Sequence, residues 1–363
     1  MKKVVFGITS LRPGGAERVL IDIANHLKDK YDITIFSLYG DGEFEKQLDP
    51  SIHFYALHKH TYESYSKLRK ICFSLQLVIP FFRNVIYKKY FKNKYDVEIS
   101  FLEGPMTWLM SGKSNAKKIV WVHNDLICVY SKTYLKRKMS EKAYSKYQKI
   151  IFVSQDNLNK FKQLYPKNKI AKQVIYNYID KDIVNQKANL FSVDEIQTDL
   201  PSFLQVSRLT EQKAILRLVK VHKKLIEDGV MHRIYIIGDG PLKDQIIQKV
   251  KELHVEDTFI LLGQKENPYP YIKKANIFML ASYYEGYPMV LLEAKVLNKK
   301  ILITESASRE VLLGYEDGNI VPNTEDGIYS GIKQIVMNQD FKINHQEFKN
   351  DKILEEIEEL LGE

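Results

Sequence analysis

Two glutamates at a fixed spacing carry the best-defined chemistry in this sequence. Glu285 and Glu293 lie in SYYEGYPMVLLEAKVL at 282–297. Pro288 suits the first turn of a helix but not its interior, so Glu285 is predicted in the preceding loop and Glu293 inside the helix. A rise of about 1.5 Å per residue places their backbones up to about 12 Å apart. This separation is too long for two carboxylates acting on one atom, and it suits two groups that hold opposite ends of an extended ligand.

An amphipathic helix with two surface glutamates is the alternative interpretation of this segment. Glu293 argues against it, because it lies among Val290, Leu291, Leu292 and Ala294 at an otherwise apolar helix start. A carboxylate in such surroundings needs a partner.

Two cations upstream are suited to binding a diphosphate. Arg208 and Lys213 lie in QVSRLTEQKAILRLVKVH at 205–222, after a predicted strand and at the start of the next helix. Cations in this position can neutralise a diphosphate and stabilise it as it departs with additional negative charge. Solvated side chains on a loop are the alternative.

Glycine-rich turns follow two other predicted strands. LRPGGAERVLIDIA at 11–24 places Gly14 and Gly15 between a strand and a helix, where the missing Cβ lets the backbone approach a ligand. The helix start also offers free N–H groups to an anion such as phosphate. IIGDGPLKDQI at 236–246 supports the topology more than it supports any particular ligand.

The elements that must position these residues alternate between strands and helices. Most strand segments are continuously apolar and rich in Val, Ile and Phe, as parallel strands covered on both faces require. Twelve strands are predicted: Lys3–Ile8, Asp32–Ser37, Ile52–Ala56, Val97–Phe101, Lys118–Val122, Lys149–Val153, Gln173–Tyr176, Phe203–Val206, Arg233–Ile237, Thr258–Leu261, Ile277–Leu280 and Lys300–Thr304. Repeated strand–helix units imply doubly wound α/β sheets.

A polar, weakly periodic segment at 180–201 divides the chain and is predicted to be a linker. We therefore predict a first Rossmann-like domain at 1–185, a second at 200–340, and a closing acidic helix within 341–363. Ligands of open α/β sheets bind at the carboxyl edge of the strands, so the predicted binding site is a cleft between the two domains.

Four segments, taken together, resemble a known family. GGAERV, VSRLTEQK, IIGDGPL and EGYPMVLLEA, in this order and at these intervals, resemble the retaining glycosyltransferases of family four, of the bacterial surface-polysaccharide type. Members of that family have the GT-B fold, in which two doubly wound Rossmann-like domains face a central cleft. The likeness covers nearly the whole chain, and its most specific part is the segment with the two glutamates.

The resemblance implies roles for individual residues. The family's residues at the positions of Arg208 and Lys213 bind the donor diphosphate. The residue matching Glu285 contacts the donor sugar near the reacting centre, and the residue matching Glu293 binds the ribose. The glycine matching Gly15 approaches the diphosphate through its backbone.

The same resemblance implies the remainder of the donor site. Further donor-binding positions are Gly263, Gly286, Tyr287, Pro288, Met289 and Val290. Leu262–Gln264 and Ile320–Val321 are similar to the family's segments that hold the base and ribose through backbone contacts. The likeness also implies a UDP-sugar donor, no other cofactor and no metal, and the sequence has no Cys/His cluster.

Residues at the ends of first-half strands are candidates for the acceptor side. His123, in WVHND, looks like the family's histidine near the donor sugar and acceptor. A structural histidine is the alternative. Glu103, ranked below His123, is a further candidate, as are Ser154 and Asn177.

Two departures from the family's pattern concern the donor. A pair of glycines usually precedes a glutamate after the strand that ends here at Thr304, whereas this chain has Ala307 and Ser308 before Glu310. Side chains at these two positions keep the backbone farther from the donor than glycines would. The sequence therefore does not specify which sugar the donor carries. Ser207 stands where glycine is more usual, a milder change.

Charge is distributed unequally between the two halves. Met1–Asp180 has 31 basic and 16 acidic residues, a net charge of +15, and the remainder has a net charge of −6. The first half is therefore expected to meet an anionic partner. Nucleic acid is one candidate, but no RNA- or DNA-binding module is recognisable, so no nucleic acid is expected.

A membrane surface is the other candidate partner. Within Lys59–Lys94, the apolar run ICFSLQLVIPFF at 71–82 is flanked by cations and is too short to span a bilayer. Such a pattern is typical of a segment in the headgroup region, and a second basic run lies at Lys132–Lys149. A core helix with solvated lysines is the alternative for Ile71–Phe82.

The composition is typical of a cytoplasmic globular protein. Cys72 and Cys128 form no disulfide framework and have no metal-ligand spacing. Met1–Ser10 is predicted to be a buried strand and not a secretory signal. We expect a cytoplasmic protein that associates peripherally with the inner face of the cell membrane.

The expected activity is transfer of a sugar, with retention, from a UDP-sugar to a hydroxyl of a lipid-linked saccharide in surface-polysaccharide synthesis. Two alternatives stay open. A nucleotide-sugar epimerase would need acid/base groups on both sides of the donor, and none is identifiable. A non-catalytic partner subunit would be expected to have a broken donor site. In this sequence the four main residues of that site are present, namely Arg208, Lys213, Glu285 and Glu293.

Overall fold

The computed structural model describes residues 1–130, 133–339, 341 and 343–362. Contacts divide the chain into two units, the first formed by Met1–Tyr178 with Asn350–Glu363 and the second by Ile179–Lys349. Each unit has its own parallel sheet. Lys132, the first residue of the predicted basic run at 132–149, lies outside the described residues.

Seven strands form the sheet of the first unit: β1 (Lys2–Ile8), β2 (Tyr31–Tyr39), β3 (His53–His58), β4 (Val97–Ser100), β5 (Lys117–Val122), β6 (Lys149–Phe152) and β7 (Ala171–Val174). Their order is β3-β2-β1-β4-β5-β6-β7, and neighbouring strands are parallel. The strand order reverses between β1 and β4. This is the position at which open α/β sheets bind ligands.

The connecting helices of this unit are α1 (Gly15–Leu27), α2 (Lys67–Val78), α3 (Pro80–Tyr90), α4 (Pro105–Met110), α5 (Leu126–Tyr130), α6 (Tyr134–Tyr144) and α7 (Gln155–Leu164). α1 buries one apolar face, which includes Val19, Ile23 and Leu27. The spacing of these residues is that of an amphipathic helix packed on a core.

Six strands form the sheet of the second unit: β8 (Ser202–Val206), β9 (Arg233–Ile237), β10 (Phe259–Gly263), β11 (Ile277–Leu280), β12 (Lys300–Thr304) and β13 (Gly318–Val321). The order is β10-β9-β8-β11-β12-β13, again parallel throughout. The helices are α8 (Lys181–Ala188), α9 (Ile215–Glu227), α10 (Lys243–Glu252), α11 (Tyr269–Lys274), α12 (Met289–Val296) and α13 (Glu325–Met337). Here the order reverses between β8 and β11.

The doubly wound α/β architecture predicted from the sequence is confirmed, and each of the twelve predicted strands is present. The sequence did not predict β13 as a strand. It includes Gly318 and Asn319, which have low strand propensity, and it pairs with β12 at the edge of the sheet. Pairing with β12 stabilises a strand conformation that the residues of β13 do not favour by themselves.

The segment predicted to be a linker is partly helical. α8 begins after Asp180, whose carboxylate accepts hydrogen bonds from the N–H groups of Asp182 and Ile183 at 3.0 Å each. This is an N-cap, and α8 buries Val184 and Ala188 in the second unit. The second unit therefore begins at Ile179, earlier than the predicted boundaries of 185 and 200.

The C-terminal helix, α14 (Asp351–Gly362), belongs to the first unit. The Nζ groups of Lys2 and Lys117 donate to the carbonyl oxygens of Leu361 and Leu360, at 2.7 Å each. Cations at the C-terminal end of a helix stabilise its free carbonyl groups. The range 341–363, predicted as a separate closing element, is thus divided between the two units.

Within the described ranges, no helix has the length and apolar character needed to cross a bilayer.

Candidate active site

In the second unit, the strand order brings Lys213 and Glu285 together. Lys213 follows β8 and Glu285 follows β11, and these neighbouring strands are parallel, so both residues lie at the same carboxyl edge. The Nζ of Lys213 lies 2.5 Å from a carboxylate oxygen of Glu285, and their side chains are 14% and 7% exposed. Two residues predicted to bind the same donor therefore form a largely buried ion pair.

A tight turn brings the chain from Lys213 into α9. Glu211–Lys213 is a short 3-10 segment, and Ala214 then adopts a left-handed conformation with φ 54°. The side-chain amide of Gln205, within β8, donates to the carbonyl oxygen of Lys213 at 3.2 Å. The backbone that carries Lys213 is thus tied to the strand beside it.

Arg208 is exposed on a backbone that continues the ladder beyond the end of β8. Ser207 N donates to Ile237 O and Leu209 N donates to Asp239 O, both at 2.9 Å. Among the described residues no carboxylate lies within 4 Å of the Arg208 guanidinium, so its donors are available to a ligand.

The two glycines of IIGDGPL, Gly238 and Gly240, let their segment lie close to the backbone on either side of Arg208. A Cβ on Gly238 would lie 1.9 Å from the carbonyl oxygen of Ser207, and a Cβ on Gly240 would lie 2.6 Å from that of Leu209. Gly238 also has φ 145°, which L residues rarely adopt. The motif, which the sequence linked only to topology, holds the loop that carries Arg208.

Gly238→Ala is expected to lower the free energy of unfolding by about 3 kcal/mol or more, because it combines an unfavourable φ with a backbone clash. Gly229→Ala is a matched control: Gly229 has φ 78°, but a Cβ there would meet no atom within 4 Å. We expect the control to lose only about 1 kcal/mol. Urea denaturation measures both values, and equal losses would contradict the role given to Gly238.

Glu293 lies on α12, and Glu285 lies in the loop before it. Pro288 is the N-cap residue of α12. Glu293 is 8% exposed and accepts a hydrogen bond from the Tyr269 hydroxyl at 3.3 Å. The buried carboxylate has the polar partner that its apolar neighbours in the sequence led us to expect.

Other predicted donor-binding residues lie on the same edge or at the start of α12. Gly263 ends β10 with φ 70°, and its carbonyl oxygen accepts from Gly238 N at 2.9 Å. At the α12 start, Met289 is buried and the others are partly exposed, namely Gly286, Tyr287, Pro288 and Val290. The segment after β12, which differs from the family's glycine pattern, forms a short 3-10 helix that Ser306 caps. Ala307 and Ser308 are buried in this helix.

In the first unit, Gly15 is the exposed first residue of α1. The preceding Gly14 is the N-cap residue, and its carbonyl oxygen accepts from Arg18 N at 3.0 Å. The predicted position of Gly15 at a helix start, after β1, is thus observed, and the free N–H groups of α1 lie there.

His123 and Glu103 are adjacent in the first unit, because they follow the neighbouring strands β5 and β4. The Glu103 carboxylate accepts from His123 N at 3.0 Å and from the Asn124 side chain. Burial lowers the pKa of His123 to about 3, so its imidazole is neutral. Among the described residues, His123 Nε2 has no hydrogen-bonding partner. This neutral nitrogen is suited to a ligand hydroxyl.

Ser154 and Asn177 have different surroundings. The Ser154 hydroxyl accepts from Asn157 N at 3.1 Å and caps α7, which is a structural role. The Asn157 side chain in turn donates to the carbonyl oxygen of His123 at 3.4 Å. Asn177 is 4% exposed in the segment after β7.

Sequence reasoning missed two glutamines that hold the loop before Glu285. The side-chain oxygen of Gln205 accepts from Ala281 N at 3.1 Å. The backbone carbonyl of Gln212 accepts from Tyr283 N, and its side chain donates to Tyr284 O, each at 2.9 Å. A polar residue at a buried position of β8 was the available signal for Gln205.

In the described part of the chain, no group of three or more His, Cys, Asp or Glu side chains could hold a metal ion.

Two family models match consecutive parts of the chain. Glycosyltransferase Family 4 matches residues 13–183, and Glycosyl transferases group 1 matches residues 186–352. A Campylobacter jejuni relative is N-acetylgalactosamine-N,N'-diacetylbacillosaminyl-diphospho-undecaprenol 4-alpha-N-acetylgalactosaminyltransferase. It is 28% identical over 348 residues, covering 93% of this chain and 90% of the relative. The amylovoran biosynthesis glycosyltransferase AmsD of Erwinia amylovora is 22% identical, covering 91% and 89%.

Solved structures share the fold at low identity. Alr3699/HepE from Anabaena, in complex with UDP-glucose, matches with a TM-score of 0.77 at 16% identity and covers 100% of both chains. Sucrose-phosphate synthase from Thermosynechococcus elongatus matches with a TM-score of 0.74 at 14% identity, covering 94% of this chain and 91% of that one.

Proposed function

Because this chain belongs to the group 1, family 4 glycosyltransferases and has their GT-B fold, we propose that it transfers a sugar from a UDP-sugar to a hydroxyl of a lipid-linked saccharide, with retention of configuration. The observation that carries the proposal is the buried ion pair of Lys213 and Glu285, at the switch point of the second sheet. Exposed Arg208 follows the same strand as Lys213.

On the donor side, Arg208 and Lys213 neutralise the diphosphate and stabilise it as it leaves. The Lys213 ammonium has three donors, so it can contact a phosphate oxygen while it keeps its bond to Glu285. Glu285 orients the sugar and Glu293 binds the ribose. These two cations and the N–H groups at the start of α12 supply the positive charge that the leaving group needs, so we propose transfer that requires no metal ion.

On the acceptor side, the first unit binds the lipid-linked saccharide. The Campylobacter relative is named for a diphospho-undecaprenol saccharide acceptor, and the AmsD relative for polysaccharide biosynthesis. The net charge of +15 in the first half suits an acceptor that carries a diphosphate. The neutral His123 accepts a hydrogen bond from an acceptor or donor-sugar hydroxyl.

The experiment is a thermal-shift screen of nucleotide-sugars, followed by measurement of UDP release with and without lipid-linked saccharides. We expect one or a few UDP-sugars to raise the melting temperature, slow UDP release without acceptor, and fast release with it. Binding without release under either condition would favour a non-catalytic partner subunit. Conversion of the bound sugar without UDP release would favour an epimerase.

We propose that helices α2 and α3 bind the enzyme to the anionic inner face of the cell membrane. We define the α2–α3 surface by its exposed apolar side chains, Leu68, Ile71, Leu75, Val78, Phe81, Phe82 and Val85. On α2 these residues follow helical spacing and form one stripe. Ile79 has an extended backbone between α2 and α3, and Pro80 begins α3, so the apolar run 71–82 is divided between two helices and does not form one core helix.

Charge on α2 and α3 and on the four residues after α3 fits an anionic lipid surface. Residues 67–94 contain eight cations and no acidic residue. Each cation near such a surface contributes about 1 kcal/mol. Leu77 and Tyr87 are buried on the opposite side, and the Tyr87 hydroxyl donates to Glu98 at 2.9 Å, which fixes α3 to the first unit.

Phe81→Ser is expected to weaken binding to vesicles of phosphatidylglycerol and phosphatidylcholine about tenfold, because one large apolar side chain no longer enters the interface. Sedimentation with vesicles measures the affinity, which should also fall as salt is raised. Leu313→Ser is the control, since Leu313 is 70% exposed in the second unit. Equal affinity of wild type and Phe81→Ser would refute docking by this surface.

A further inference from the structure

A second set of contacts holds the loop that carries Glu285, which we call the Glu285 loop (residues 281–285). These contacts come from Arg217 on α9 and from Asn323, which lies between β13 and α13. Arg217 lies within the segment 205–222 that carries Arg208 and Lys213, but the sequence assigned no role to Arg217 or to Asn323. They lie 106 residues apart in the chain and contact each other.

Arg217 contacts both the loop and Asn323. Its Nη2 donates to Ala281 O and to Asn323 Oδ1, at 2.8 Å each, and its Nη1 donates to Asn323 O at 3.3 Å. The guanidinium carbon lies 4.2 Å from the ring centroid of Tyr283. One side chain thus binds the loop's backbone and stacks on one of its side chains.

Asn323 contacts the next two carbonyl groups of the loop. Its Nδ2 lies 3.2 Å from Ser282 O and 2.9 Å from Tyr283 O, and 3.1 Å from Glu305 O. Three consecutive carbonyl groups, at 281, 282 and 283, therefore accept hydrogen bonds from the Arg217–Asn323 pair. Glu285 follows two residues later.

The burial of Arg217 is energetically unfavourable unless its contacts offset it. Arg217 is 6% exposed, and among the described residues no carboxylate lies within ion-pair distance of it. A buried cation loses its hydration, and an apolar residue on this face of α9 would avoid that cost. Its hydrogen bonds instead fix one conformation of an otherwise irregular loop.

We propose that Arg217 and Asn323 are positioning residues that fix the Glu285 loop, so that Glu285 meets Lys213 and the donor sugar in a reactive geometry. This inference rests on the proposed function for its link to transfer. Neither residue contacts the donor in this mechanism. Their effect therefore falls on the orientation of the sugar more than on binding of the nucleotide.

The first test is hydrogen–deuterium exchange of the free protein, which does not depend on any activity. Arg217→Lys keeps the charge but loses the planar fork of donors. Asn323→Asp keeps the volume and the acceptor for Arg217 but removes the donors to the loop, and it keeps the proposal testable if Arg217→Lys does not fold. We expect at least about tenfold faster exchange in a peptide covering 281–287, with exchange unchanged in the second unit outside this loop and the segments around Arg217, Glu305 and Asn323.

The second test compares kcat for transfer with the Kd of UDP, which lacks the sugar that Glu285 orients. In both variants we expect kcat to fall about 10- to 100-fold, since small misplacements have effects of this size. The Kd of UDP should change less than about threefold. Lys220→Met, an exposed change on α9, is the control.

Unchanged loop exchange or unchanged kcat in both variants would overturn the inference. It would also be overturned if the Kd of UDP weakened as much as kcat fell, because that pattern indicates general loss of the donor site. A wild-type protein that turned over no nucleotide-sugar would contradict the proposed function, while the exchange measurement would still decide whether the pair holds the loop.

Discussion

Lys213→Met is expected to lower the rate of sugar transfer by about 10²–10³-fold. The departing diphosphate would lose one of its two cations, and removal of one group that stabilises developing charge typically has an effect of this size. The variant also leaves Glu285 largely buried without its ion-pair partner, which should destabilise the fold by a few kcal/mol. Initial rates should therefore be measured well below the melting temperature of the variant.

Lys220→Met again serves as the matched control, because Lys220 is exposed on the neighbouring helix α9. The control should keep wild-type kcat/KM. If Lys213→Met transferred sugar as fast as the control, Lys213 would have no role in stabilising the leaving group.

Glu285→Gln is expected to lower kcat by about 10³-fold while the protein stays folded. The change preserves the shape of the side chain but removes the negative charge that pairs with Lys213 and orients the donor sugar. Circular dichroism and urea denaturation would verify folding, and single-turnover measurements with a UDP-sugar would give the rate of the chemical step.

Glu305→Gln is the corresponding control for the carboxylate. Glu305 follows β12 and is 58% exposed in an ion pair with Arg309. We expect its loss to change kcat less than about twofold, because exposed ion pairs contribute little. A Glu285→Gln enzyme with near wild-type kcat would exclude an essential role for this carboxylate.

The double variant Lys213→Met/Glu285→Gln should show that the two residues act as a pair. Each single variant leaves one member of the ion pair buried alone, whereas the double variant removes both charges. Its loss in unfolding free energy should therefore be smaller than the two single losses added together. Additive losses would mean that the ion pair makes no contribution of its own.

The sequence by itself determined the local elements and the residues that end them. Continuous apolar runs predicted the twelve strands, because strands buried on both faces require apolar side chains at each position. Pro288 similarly predicted a helix that begins between Glu285 and Glu293, since proline constrains the backbone locally. The family and fold class followed from motifs of this short-range kind.

Only the tertiary structure decided which of these residues meet. Lys213 and Glu285 are 72 residues apart, and their pairing depends on β8 lying beside β11, which is set by packing of the whole sheet. Arg217 could be recognised only when its buried contacts with Asn323 and Ala281 were visible. The strand β13 and the return of α14 to the first unit have the same cause. Local propensity does not specify contacts between distant segments, because those contacts form only when the sheets and helices pack together.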